Sequence, residues 1–320
     1  NLYKARIKIL VKALGIDEFR RQVDAEFAHL KDGPATLTEA EVARVAQHFV
    51  DPEYAALPAS DAGYEAQKAD NKPFAAWAKR NVRAHKRPGY ASVVLSLKPT
   101  GVAPGDITAE QLDRVAELSD RYSFGEVRVT HEQNLVLADV RQSELFELWQ
   151  QVRDARLATP NIGLLTDIIA CPGGDFCNLA NAKSIPIANA IQARFDNLDY
   201  LHDIGEIELN ISGCMNACGH HHVGHIGVLG VDKNGEEWYQ VTIGGDQGNH
   251  TALGKVIGPS FAAHEMPDVV ESLIGVYLAL RHADERFIDT VRRVGAEPFK
   301  TRVYADRAAR LEDERKVVNG

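Results

Sequence analysis

Four cysteines occur in this chain, and they fall into two pairs: Cys171 and Cys177 close CPGGDFC, a C-x5-C, and Cys214 and Cys218 close CMNAC, a C-x3-C. Thiolates spaced this way can converge on one soft metal centre. Pro172, Gly173 and Gly174 keep the first loop from starting as a regular helix, and the glycines let backbone N–H groups approach a bulky centre closely. The second pair leaves a candidate strand at Gly213, so its sulfurs would be presented from a tight turn. Four thiolates on two short loops suit a [4Fe–4S] cluster. A structural zinc, which more commonly uses C-x2-C to C-x4-C pairs, and a pair of disulfides are the alternatives. Nearby, His220, His221, His222 and His225 could suggest a second metal. Adjacent histidines on a strand point to opposite faces, so His220 and His222 could cooperate while His221 could not; donors to cluster sulfurs or plain surface histidines are the simpler reading.

The elements that must position these loops read as an alternation of strand and helix. Residues 1–31 have helical spacing in Leu2, Ile7, Leu10, Val11, Leu14, Phe19 and Val23, with a break at Gly15. Thr38 stands three residues before Glu41, the signature of a capping box. Residues 51–75 show no period and read as a linker. From residue 90 come a strand (90–97), an amphipathic helix (108–122), two strands (126–130 and 134–140) joined by a hairpin at His131-Glu132-Gln133, and a helix carrying Leu145, Leu148, Trp149 and Val152. That order is most of a ferredoxin-like split βαβ unit. Beyond it lie a helix near 184–196, strands at 206–212, 225–231 and 237–243, and a helix at 267–282 behind Pro267. Trp77, Trp149 and Trp238 read as core. The basic run Lys79, Arg80, Arg83, His85, Lys86, Arg87 reads as a solvated face that could also attract an acidic donor or an anion.

At 320 residues the chain is long enough for two cores, and 45% hydrophobic with 25% charged residues is ordinary globular composition. A net charge of −9 gives no global footprint for nucleic acid or anionic membranes. No apolar run approaches the ~20 residues that cross a bilayer, and nothing in the stretch NLYKARIKIL reads as a signal peptide. Thiolate ligands in a reducing cytoplasm fit this better than disulfides, which belong mostly to small secreted scaffolds. The absent initiator Met suggests a processed chain or a fragment.

CPGGDFCNLA followed by SGCMNACGHHHVGHIG resembles the C-x5-C…C-x3-C signature of sirohaem-dependent sulfite and nitrite reductases. GEVRVTHEQNLVLADV is similar to the strand–turn–strand of that family's ferredoxin-like half-domain. DKNGEEWYQVTIGG and ERFIDTVRRVGAEPFKTRVYA resemble later parts of the same region, so the likeness covers most of 76–304. It implies an α+β fold: an N-terminal helical linker (1–75), a ferredoxin-like half-domain (76–155), an α/β sirohaem/[4Fe–4S]-binding domain (156–304) and a C-terminal tail (305–320). It implies the C-terminal half of an assimilatory sulfite reductase haemoprotein, reducing sulfite to sulfide by six electrons. Nitrite reduction to ammonia is the close second. A non-catalytic zinc- or Fe–S-binding protein is the reading from another class.

The resemblance also implies roles. Cys171, Cys177, Cys214 and Cys218 would hold the cluster, and Cys218 would also ligate the sirohaem iron as an axial thiolate. A shared sulfur leaves no gap for an electron to cross, and an anionic axial ligand helps the iron weaken S–O or N–O bonds. Sirohaem is a polycarboxylate that needs cationic and amide donors, for which Arg128, Thr130, Gln133, Asn134 and Asn216 are placed. The implied partners are sulfite or nitrite, an electron donor (ferredoxin or a flavoprotein reductase), and the enzyme's N-terminal half. That half carries most of the arginines and lysines that grip the substrate anion, and no segment here matches it.

Overall fold

The structure is a computed structural model that describes residues 7–319. Leu2, expected on the first helix, lies outside the described residues. The chain divides into two compact units, Asn1–Tyr54 and Ala55–Gly320.

The first unit is helical: α1 (Ile7–Leu14), α2 (Ile16–Leu30) and α3 (Glu39–Ala46). Gly15, at φ 80°, breaks α1 from α2 as expected. Thr38 caps α3 by accepting from the Glu41 N–H at 3.2 Å. The Glu41 carboxylate turns to Arg44 instead, so only that half of the capping box is in place.

The second unit begins with α4 (Ala62–Asp70) and α5 (Lys72–Asn81), which fill most of the stretch read as a linker. Asp61 and Asn71 cap them, accepting from the Tyr64 and Phe74 N–H groups. Phe74 and Trp77 on α5 are fully buried, each such side chain contributing about 1.5–3 kcal/mol of burial. Trp77 is core as expected, and Phe74, from the stretch read as a linker, packs in the same cluster. The half-domain continues with β1 (Val82–Ala84), β2 (Tyr90–Leu95), α6 (Ala109–Tyr122), β3 (Val127–Val129), β4 (Leu135–Arg141) and α7 (Leu145–Asp154). Its sheet is antiparallel in the order β1-β2-β4-β3. Thr108 and Gln111 form the full capping box of α6. The basic run is therefore partly structural: it contains edge strand β1, Arg80 is 9% exposed and pairs with Glu206, and the His85 Nε2 lies 3.1 Å from buried Asp139.

The following domain has β5 (Ile169–Ala170), α8 (Ile185–Arg194), α9 (Leu198–Ile204), β6 (Leu209–Ser212), β7 (Ile226–Lys233), β8 (Glu236–Ile243), β9 (Lys255–Val256), β10 (Phe261–Ala262), α10 (Met266–Leu280), α11 (Phe287–Val294) and α12 (Glu297–Asn319). The sheet runs β10-β8-β7-β6-β5, with β9 on β8. Strands β5, β6 and β7 are parallel, while β7 and β8 form a hairpin through Asn234 and Gly235, both at positive φ. Residues 305–319, expected as a tail, continue α12. Trp238, expected in the core, is half-buried on the hairpin with the Lys233 ammonium 4.6 Å above its ring.

A buried polar network joins the half-domain to this sheet. The Lys98 ammonium, fully buried, meets the Asp167 carboxylate at 2.7 Å and also donates to the Glu132 carbonyl. Asn134 accepts from the Leu97 N–H and donates to Asp167, and Asn161 joins Ser96, Lys98 and Thr166. Among the described residues no helix is long and apolar enough to cross a membrane.

Candidate functional site

The two cysteine loops leave neighbouring parallel strands at the same end. Ala170 pairs with Ile211 across β5 and β6, so Cys171 and Cys214 both follow carboxyl ends of adjacent strands, the place where open α/β sheets gather ligands. The loops then pack on each other. The Gly213 N–H donates to the Cys171 Sγ at 3.1 Å, and the Gly213 carbonyl accepts from the Asn181 and Ala182 N–H groups. Glycine is required at both contact points. A Cβ on Gly213 would lie 2.6 Å from the Ala182 carbonyl oxygen and 2.8 Å from the Gly173 Cα, and one on Gly173 (φ +59°) would lie 2.4 Å from the Ser184 nitrogen. Cys214 is buried, Cys171 and Cys177 are half-buried and Cys218 is exposed, all as free thiols. The second loop turns through Ala217 and His220, both at positive φ. Gly219 is fastened back by its N–H on the Ser212 hydroxyl.

The expected cofactor donors divide. Asn134 is 1% exposed with both ends of its amide engaged, on the Leu97 N–H and on Asp167, so its expected role as a cofactor donor is corrected to a structural one. Gln133, held at φ 59°, accepts from the Ala170 N–H at 2.9 Å and donates to the Ala170 carbonyl at 2.8 Å. Its amide stitches the β3–β4 hairpin to the residue before Cys171. Thr130 accepts from the Asn134 N–H, which leaves its hydroxyl proton to donate. Arg128 and Asn216 are exposed, and Arg128 pairs with Glu126.

The histidines separate in the same way. His220 and His222 are exposed, whereas His221 and His225 are buried and held down to about 4, first by desolvation; His222 adds to this for His221. His225 stands 4.0 Å from Glu208 and 3.8 Å from Asp246. Burial, the largest cause, raises Glu208 above the usual carboxylate range. A neutral imidazole at these distances makes no strong ion pair. Among the described residues no group of three or more His, Cys, Asp or Glu side chains is placed to hold a single metal ion. A cubane holds its thiolates farther apart than one ion does. Four free thiols on two interlocked, glycine-rich loops are a donor set that suits such a cluster.

Residues 164–310 match the family described as the nitrite and sulphite reductase 4Fe-4S domain, and residues 90–155 match the nitrite/sulfite reductase ferredoxin-like half domain. The chain belongs to the nitrite and sulphite reductase family. It is 30% identical over 209 residues to a ferredoxin–nitrite reductase of Synechococcus elongatus, covering 62% of this chain and 39% of that protein. Its likeness to sulfite reductase [ferredoxin] 2 of Mycolicibacterium paratuberculosis is 26% over 311 residues, 93% of this chain and 48% of that one. The chain thus spans less than half the length of these relatives. The solved structure of the Mycobacterium tuberculosis NirA protein shares the fold, with a TM-score of 0.60 at 24% identity over 93% of this chain and 49% of that one. Within this family fold, sequence reasoning singled out the cysteines but not Lys98, Asp167 or Ser184. A lysine closing an apolar strand (VVLSLK) and a serine directly before Ile-Pro were the available signals.

Proposed function

We propose that this chain is the cluster-bearing half of an assimilatory sulfite reductase. Cys171, Cys177, Cys214 and Cys218 would hold a [4Fe–4S] cluster, and Cys218 would also serve the sirohaem iron. One observation carries the reading: two cysteine loops from the carboxyl ends of adjacent parallel strands are locked together by the Gly213 N–H on the Cys171 sulfur. Sirohaem held here would supply an iron suited to binding a small anion and to one-electron chemistry. Buried Cys214 anchors its end of the site, while exposed Cys218 offers a sulfur that can face two groups at once. Thr130, Arg128 and Asn216 donate to the macrocycle's carboxylates, and Gln133 fixes the hairpin that carries Thr130 against the cluster loop. The cations that grip the substrate come from a second half-domain, and the electron donor is a ferredoxin, as the relatives' names state for those proteins. Free thiols suit a reducing cytoplasm.

Sulfite is preferred because the sulfite reductase likeness extends over 93% of this chain and the nitrite reductase likeness over 62%. The higher identity of the latter, 30%, favours nitrite as the second reading. The test is initial rates with each anion for the complete, anaerobically isolated protein driven by a chemical reductant. A larger kcat/KM for sulfite is expected. A larger value for nitrite replaces the substrate, and no turnover of either by fully loaded protein overturns the reading. In Cys218→Ser, loss of the tetrapyrrole bands together with turnover is expected; full retention of both contradicts the bridging role.

A further inference from the structure

We propose that the Ser184 hydroxyl helps set the cluster's reduction potential by donating a hydrogen bond to the Cys171 thiolate. This rests on the reading of Cys171 as a cluster ligand. Ser184 occupies the N-cap of α8, where a serine ordinarily accepts from an N–H two or three residues on. Here its side chain makes no such bond, and Pro186, at the second helical position, has no N–H to be capped. The hydroxyl lies instead 3.5 Å from the Cys171 Sγ. A ligating thiolate carries no proton, so the hydroxyl must be the donor.

The placement is built by the same two glycines that lock the loops. A Cβ on Gly173 would lie 2.6 Å from the Ser184 Oγ, and one on Gly213 would lie 3.1 Å from it. Any other residue at Gly173 would push the hydroxyl off the sulfur. Ser184 is 0% exposed, so water does not compete, and the low local dielectric strengthens the bond. With the Gly213 N–H at 3.1 Å, the Cys171 sulfur receives two donors. Among the described hydrogen bonds the other three cysteine sulfurs receive none. An added electron puts negative charge on the cluster and its sulfurs, so a donor at the sulfur stabilises the reduced form more than the oxidised one. Ser184 therefore raises the potential, and it does so at one corner of the cluster.

The complete protein is reconstituted anaerobically, its iron and sulfide contents are measured, and wild type is compared with Ser184→Ala by an EPR-monitored redox titration. The expected result is a lower potential in Ser184→Ala, about a tenfold loss in the one-electron reduction equilibrium, or 59 mV. An intact cluster with an unmoved potential overturns the assignment. Electron–nuclear double resonance of the reduced wild-type cluster, prepared in H2O and in D2O, gives an answer that does not depend on the variant folding. Strongly coupled exchangeable protons from both Gly213 and Ser184 are expected, and absence of the hydroxyl coupling overturns the proposal. A wild-type preparation that takes up no cluster overturns the cysteine reading itself and this inference with it, whereas an unmoved potential removes only the role of Ser184.

Discussion

Lys98 and His225 show how single residues are used in this fold. The Lys98 ammonium has no exposed surface, and its counterion Asp167 is bound in turn by Asn134 and by the Gly163 N–H. Removing one partner of such a pair leaves a buried charge uncompensated. Lys98→Met is expected to lose about 3–5 kcal/mol of stability, read from the denaturant midpoint at unchanged slope; a loss under about 1 kcal/mol, the range of surface pairs, would contradict the buried network. His225 faces Glu208, Asp246, Glu206, Arg286 and Arg292, and desolvation holds it down to about 4. Its unfolded value is near 6.5, so the unfolded chain binds the extra proton between those values. Stability from this group is complete above about pH 6.5 and is lost as pH falls toward 4, by on the order of 3 kcal/mol. His225→Gln should flatten the pH dependence of the unfolding free energy in that window, and an unchanged slope would contradict the assignment.

The locking of the two loops belongs to the scale of elements. Gly213→Ala would put a methyl against the Ala182 carbonyl and the Gly173 Cα, both backbone atoms with no rotamer to escape into. Parted loops cannot share one cluster, so iron bound per chain is expected to fall at least several-fold while far-UV circular dichroism stays close to wild type. Wild-type iron content in Gly213→Ala would show that the contact is dispensable. Much of this scale was legible in the sequence. Alternation and turn residues located β2, β4, β7, β8 and the hairpin, and the 3.6-residue period located α6 and α10 within two residues. Helices α4 and α5 were missed because α4 buries no residue and, on α5, the alanines between and beside Phe74 and Trp77 blur the period in the sequence. Strand β1 was missed because charged residues on an edge strand look like a solvated run. The cysteines were legible because thiolate spacing is chemistry. The clamp of Gln133 on Ala170 was not legible, because an amide on a hairpin looks the same whether it faces a ligand or a backbone.

For the molecule as a whole, half-domain and cluster domain are joined at the Lys98–Asp167 network and at the Gln133–Ala170 clamp, and both joints converge on the segment entering the first cysteine loop. Phe176, Leu179 and Met215 stand largely exposed on the two loops. That is apolar surface which a macrocycle or a second half-domain would cover. Every functional step assigned to this chain requires the two loops to serve one cluster. Mössbauer spectroscopy of the complete protein, isolated anaerobically from cells grown on iron-57, tests that requirement most directly. The expected spectrum is a four-iron, four-sulfide cluster with one further iron in a tetrapyrrole, magnetically coupled to it through a shared ligand. Iron confined to two-cysteine sites, or a colourless protein carrying zinc, would contradict it.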